Sequence, residues 1–184
     1  PLHAPCPFYG GSAPAREVLI NEIAWMGGDR PSDEWVELKN ISGTELLLQG
    51  WNLRDEAEKI NFVFQSGTLA PQGFYLLERT DDGTLPAVYG DSFYSGALVN
   101  SGAWVRLFEG TCRLVDEIDA RSGWPAGDDA ERKTMERNLR DFLWHTSAFS
   151  GGSPRAENSL PSSPVVAAAT TSPAASTPLE NSPT

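Results

Sequence analysis

Glu34-Trp-Val-Glu-Leu-Lys-Asn40 decides the fold class, because its side chains alternate: Val36 and Leu38 point one way, Glu37 and Lys39 the other. A period of two marks a half-buried strand. Upstream, Glu17-Val-Leu-Ile-Asn-Glu-Ile-Ala-Trp25 is rich in strand-forming residues and contains neither Gly nor Pro. Downstream, Leu46 to Leu48 runs through Gly50 into Trp51-Asn-Leu53, and Ile60, Phe62 and Phe64 alternate with Asn61, Val63 and Gln65. Phe74-Tyr-Leu-Leu77 follows the turn signal Ala70-Pro-Gln-Gly73. Trp104-Val-Arg-Leu-Phe108 and Arg113-Leu-Val-Asp-Glu-Ile118 flank Glu109-Gly-Thr111, a connection of hairpin length. Thr134 to Asn138 and Phe142 to His145 offer a last short pair. Only Asp128 to Arg140 approaches a helical pattern, and its apolar residues are too sparse for one.

Many short strands separated by Gly, Pro and Asp turns, without helices, predict an all-β protein: an immunoglobulin-like β-sandwich or a barrel. Uneven strand spacing favours the sandwich, with the long connection Thr80 to Tyr94 expected to cross between sheets. The 184 residues carry 14 basic and 25 acidic side chains, a net charge of -11, which disfavours nucleic acid and anionic lipid as partners. No apolar run reaches the roughly 20 residues of a membrane span, so no membrane insertion is expected. Nor does the start, Pro1 to Gly11, have the apolar stretch of a signal peptide, so the chain is expected to be a mature or excised piece.

Composition divides the chain into an irregular leader (residues 1–15), a strand-rich body (16–152) and a Ser/Thr/Pro/Ala-rich tail (153–184) without aromatic residues. Such a tail buries too little apolar surface to offset the entropy of ordering it, and is expected to be a disordered linker. The two cysteines, Cys6 and Cys112, either stand as free thiols or pin the leader to the sandwich as a disulfide. Two cysteines alone do not build a structural zinc site, and His3 and His145 lack motif spacing to them.

Several patterns fall in a specific order. Val18-Leu-Ile-Asn-Glu-Ile23 precedes Asp33-Glu-Trp-Val-Glu-Leu-Lys-Asn40, Leu48-Gln-Gly-Trp-Asn-Leu-Arg-Asp55 and Leu69-Ala-Pro-Gln-Gly-Phe-Tyr-Leu-Leu77. Leu98-Val-Asn-Ser-Gly-Ala-Trp-Val-Arg-Leu107, Met135-Glu-Arg-Asn138, Gly152-Ser-Pro154 and Asn158-Ser159 follow. Taken together, Glu17 to Ser159 resembles the lamin tail domain family, in the form carried by prokaryotic surface proteins. That resemblance implies an immunoglobulin-like sandwich without enzymatic activity, serving as an interaction or spacer module of a secreted or cell-surface protein. It also leaves open an accessory domain of a larger extracellular nuclease or hydrolase, and a calcium-stabilised adhesin. The expected location is extracellular or the cell envelope.

Candidate chemistry is thin. Glu22 and Glu37 form the acid pair a glycosidase would need, but are expected to be framework acids bonded to loop amides or to Arg54 or Arg106. Glu34 is expected at the surface. His145, with Asp141 and Ser147 nearby, lacks the Gly-x-Ser-x-Gly elbow of a hydrolase and is expected in an edge strand or loop. No cofactor is implied. Calcium is the one ion to weigh, with Asp81, Asp82 and Asp91 as weak candidate ligands that lack the EF-hand spacing. Trp25, Trp35 and Trp124 are the candidate contacts to a protein or glycan surface, with a cap on the open end of the sandwich as their other expected role. The sequon Asn40-Ile-Ser42 matters only in a eukaryotic secretory host. No oligomeric state follows from the sequence.

Overall fold

A computed structural model describes residues 4–10, 13–85 and 88–161. Its strands are β1 (Val18–Ala24), β2 (Trp35–Asn40), β3 (Leu46–Leu47), β4 (Asn52–Asp55), β5 (Asn61–Val63) and β6 (Thr68–Leu69). They continue as β7 (Phe74–Arg79), β8 (Ser92–Tyr94), β9 (Trp104–Phe108), β10 (Leu114–Asp119), β11 (Lys133–Arg137) and β12 (Trp144–Ser150). No helix appears among the described residues, and so none long and apolar enough to cross a membrane.

Two sheets pack face to face in an immunoglobulin-like sandwich. The larger runs β12-β11-β1-β2-β7-β8, the smaller β10-β9-β4-β5, and β3 pairs with β6 in a short ribbon. Between the sheets lie Val18, Ile20 and Ile23 of β1, Val36 and Leu38 of β2, Leu77 of β7, and Leu53, Val105, Leu107 and Val115 from the smaller sheet. The alternation of Glu34 to Asn40 puts Val36 and Leu38 inward, as the period of two requires. In β1 the pairing slips between Ile20 and Glu22. That bulge at Asn21 resets the alternation, so Ile23 joins Val18 and Ile20 in the core while Glu22 turns to the outer face. A buried ion pair also bridges the sheets: the Arg137 guanidinium meets both oxygens of Asp116 at 2.7 and 2.8 Å, and Asp116 accepts the Ile20 N–H.

Three expectations change. The connection after β7 does not cross between sheets; β8 returns parallel to β7 at the edge of the same sheet. Leu85 and Val88 of that connection lie instead on its outer face, covering Ala24, Trp35 and Leu76. The body also does not end at Gly152, since Ser153 is buried and hydrogen-bonded to β1 and β11, nor is Glu34 at the surface; the irregular leader puts Cys6 and Phe8 in buried positions against the smaller sheet. The remainder of the linker, residues 162–184, lies outside the described residues.

The two outer faces are therefore covered by flanking chain. Because β1 and β2 are buried on both faces, Glu37 and Lys39 are as buried as Val36 and Leu38. Alternation reported which side faced the core. It did not report that the other side would be dry.

Candidate functional site

Loops gather at the end of the sandwich where β1 stops and β2 starts. Trp25 and Trp124 are half-buried there and stack with centroids 6.3 Å apart and planes 7° from parallel. Each indole N–H donates 2.9 Å to a loop carbonyl, Trp25 to Ala126 and Trp124 to Val99. The pair is packed against the main core and closes the end of the sandwich. Trp35, expected near a loop mouth, is in β2 and only 2% exposed, because Leu85 and Val88 lie over it. It is therefore not a free contact residue. Aromatic rings that do face solvent include Tyr9 in the leader, Tyr89 in the connection before β8, Phe93 in edge strand β8 and Phe149 in edge strand β12.

An open cavity of about 520 Å³ is lined among others by Asp29, Arg30, Thr84, Arg132 and Gly151. Both of its arginines are paired, Arg30 with Asp33 at 2.8 Å and Arg132 with Asp129. The weak calcium candidates do not converge. Asp81 accepts the Gly83 N–H, Asp82 the Gly90 N–H, and Asp91 the Leu76 N–H together with the Arg155 guanidinium at 2.9 Å. No three His, Cys, Asp or Glu side chains among the described residues are placed to hold one ion. Nearby, Glu78 is buried with neither carboxyl oxygen hydrogen-bonded among the described residues, and burial raises its pKa to about 7.

The acids singled out in the sequence meet elsewhere, on the outer face of the larger sheet. Glu136 of β11 lies directly opposite Glu22 of β1, which lies opposite Glu37 of β2. Three carboxyl groups on adjacent strands form a row, and like charges so placed repel. The chain after β12 supplies the compensation. Its main-chain N–H groups donate to the row one after another: Ser153 to Glu22 at 3.0 Å, Arg155 to Glu37 at 2.6 Å and Ser159 to Glu136 at 2.9 Å. Asn158 is locked to Asn21, and Lys39 reaches Glu157 at 2.5 Å. Burial raises the Glu22 carboxyl from its ordinary 4.5 to about 8 and Glu37 to about 7, against the lowering effect of the hydrogen bonds.

Glu22 and Glu37 are thus bonded to loop amides. The expected alternative partners, Arg54 and Arg106, belong to the other sheet. Glu34 is not a surface acid: it is 3% exposed, accepts the Leu98 N–H at 2.7 Å and pairs with Arg79. His145 is in edge strand β12, its Nε2 between the Ser159 carbonyl (2.8 Å) and Glu136 (3.2 Å). Asn40 of the sequon is fully buried, and its side-chain amide donates to main-chain carbonyls.

Leader residues 4–10 cover the smaller sheet with the opposite chemistry. The Arg54 guanidinium donates to the Cys6 carbonyl, and Arg106 to those of Phe8 and Gly10. Asn52 accepts the Cys6 N–H at 2.7 Å, and Phe8 packs edge-on against Trp104 with centroids 5.2 Å apart. Cys6 and Cys112 are joined by a disulfide across 106 residues, with Cα atoms 5.3 Å apart.

Comparison with known families matches residues 11–122 to the Lamin Tail Domain. That is well over half of the chain, which therefore belongs to this family of immunoglobulin-like domains. The matched segment spans β1 to β10; the leader cysteine, the β11–β12 hairpin and the segment fastened to the acid row fall outside it. No curated protein matches the chain closely enough to serve as a relative.

Proposed function

We propose that the chain is a non-catalytic interaction or spacer module of a secreted or cell-surface protein. The observation that carries this reading is the disulfide between Cys6 and Cys112. Disulfides persist in oxidising compartments and are reduced in most cytosols. The acids support the non-catalytic part: Glu22, Glu34, Glu37 and Glu136 hold main-chain amides, an arrangement that positions loops.

Contact with a protein or glycan surface falls to the loops around the cavity rimmed by Arg30, Arg132 and Asp29, or to an edge strand of the larger sheet. Fractionation of the native cells, followed by thiol titration of the denatured protein, tests the assignment. The expected result is protein in the envelope or medium with no free thiol. A cytosolic protein with two free thiols per chain would overturn it.

A further inference from the structure

The acid row contains one hydrogen too few if all three carboxyl groups are ionised. Ser153 Oγ lies 3.1 Å from Glu22 Oε2 and 2.9 Å from Glu136 Oε1, and neither oxygen has another partner among the described residues. A hydroxyl has one hydrogen to give. With both acids ionised, one oxygen faces the serine oxygen lone pair to lone pair in a buried site, which is costly. A proton on Glu22 Oε2 removes the conflict: Glu22 donates to Ser153 Oγ, and Ser153 donates to Glu136 Oε1. The other oxygens are already supplied, Glu22 Oε1 by Thr134 and the Ser153 N–H, Glu136 Oε2 by the Ser159 N–H and hydroxyl.

We infer that residues 153–159 form a proton-dependent clasp, closed on the larger sheet while Glu22 carries the hydrogen shared through Ser153 and loosened when that hydrogen leaves. No other charge is placed to substitute for it. From β2, Glu37 lies opposite Glu22 and, being an acid, opposes its ionisation, while Lys39 is drawn to Glu157; from the clasp itself, Arg155 is drawn to Asp91 of the β7–β8 connection; from β12, His145 faces Glu136. On β11 the neighbour is the uncharged Thr134, and Arg137 turns inward to Asp116. Gly151 and Gly152, both at positive φ (79° and 76°), give the clasp its hinge. A side chain on Gly152 would run into Glu22 Oε1 and Thr134, so the hinge seats only as glycine.

Opening would free the chain from Ser153 onward and uncover three carboxylates beside one another. The clasp thus sets both where the following linker leaves the domain and whether the outer face of the larger sheet is acidic.

The test is amide hydrogen exchange at Ser153, Arg155 and Ser159 from pH 6 to pH 9, corrected for intrinsic rates, in the wild-type chain and in Glu22→Gln. A glutamine amide supplies the missing hydrogen at every pH. Wild-type protection at the Ser153 and Ser159 amides is expected to fall about tenfold or more across the range, as one ionisation displaced by more than a unit allows, while in Glu22→Gln these two stay flat; the Arg155 amide, held by Glu37, responds to that second acid in both proteins. Flat wild-type protection at Ser153 and Ser159, or an equal fall there in both proteins, would overturn the inference. Should Glu22→Gln not fold, carbon-13 titration of the wild-type Glu22 carboxyl decides: titration near neutral or above supports the shared proton, and titration near the ordinary glutamate value rules it out.

Discussion

The leader and the clasp do the same job with opposite chemistry. Each is a short segment that covers the outer face of one sheet. Arginines hold the leader by its carbonyl oxygens, and glutamates hold the clasp by its N–H groups. A guanidinium stays charged at any pH a protein meets, and a covalent bond adds to it. Buried carboxyls change charge near neutrality, and no disulfide backs them. The difference teaches that one end of this chain is secured against protons and exposed to reductants, the other the reverse.

The largest way to break the symmetry is to remove the bridge. Cys6→Ser with Cys112→Ser, or reduction, is expected to cost about 2–5 kcal/mol, since closing a long loop lowers the entropy of the unfolded chain. Urea unfolding with and without reductant measures it, and the clasp amides should keep their protection below the transition.

Raising the pH acts on the other segment. Glu22 and Glu37 in the clasp row, and Glu78 under the β7–β8 connection, have folded pKa values above their ordinary 4.5, so the folded state holds more protons than the unfolded one between about 4.5 and 8. Stability contributed by the neutral acids is then full below that window and lost as pH rises through it. Unfolding free energy at pH 5.5 is expected to exceed that at pH 8.5. Glu109 and Asp119, whose pKa values Arg113 and Arg121 hold down, act in the opposite sense only at more acid pH.

Smaller changes sharpen the comparison. Arg106→Ala strands the buried Phe8 carbonyl and should cost about 1–3 kcal/mol, with no change in pH dependence between 6 and 9. Ser153→Ala should cost about 1 kcal/mol at pH 6 and less at pH 9, because the hydrogen it relays is already gone there. Denaturant titrations at the two pH values separate these cases.

Much of the fold was legible because periodicity and turn chemistry agree. The alternation of Glu34 to Asn40, the turn at Ala70-Pro-Gln-Gly73 ahead of β7, the hairpin around Glu109-Gly-Thr111 and strand β11 all rest on local signals, whereas β12, expected at Phe142 to His145, runs from Trp144 to Ser150. What covers the outer faces was not legible. Trp35 and Glu34 read as surface residues beside a loop, because nothing in their own neighbourhood announces the long connection that packs over Trp35 or the Leu98 amide that binds Glu34. The clasp escaped for a similar reason. Ser153 to Ser159 has the composition of a linker, and only the row of carboxyls contributed by three distant strands gives its amides somewhere to bind.

One sample subjected to two perturbations tests the whole account most directly: amide exchange at Cys6 in the leader and Arg155 in the clasp, followed after reduction at pH 6 and, separately, after a shift of the oxidised protein to pH 9. Reduction is expected to release Cys6 while Arg155 stays protected, and alkali to release Arg155 while Cys6 stays protected. If both amides open together under either condition, the two segments are not held independently and the account is wrong.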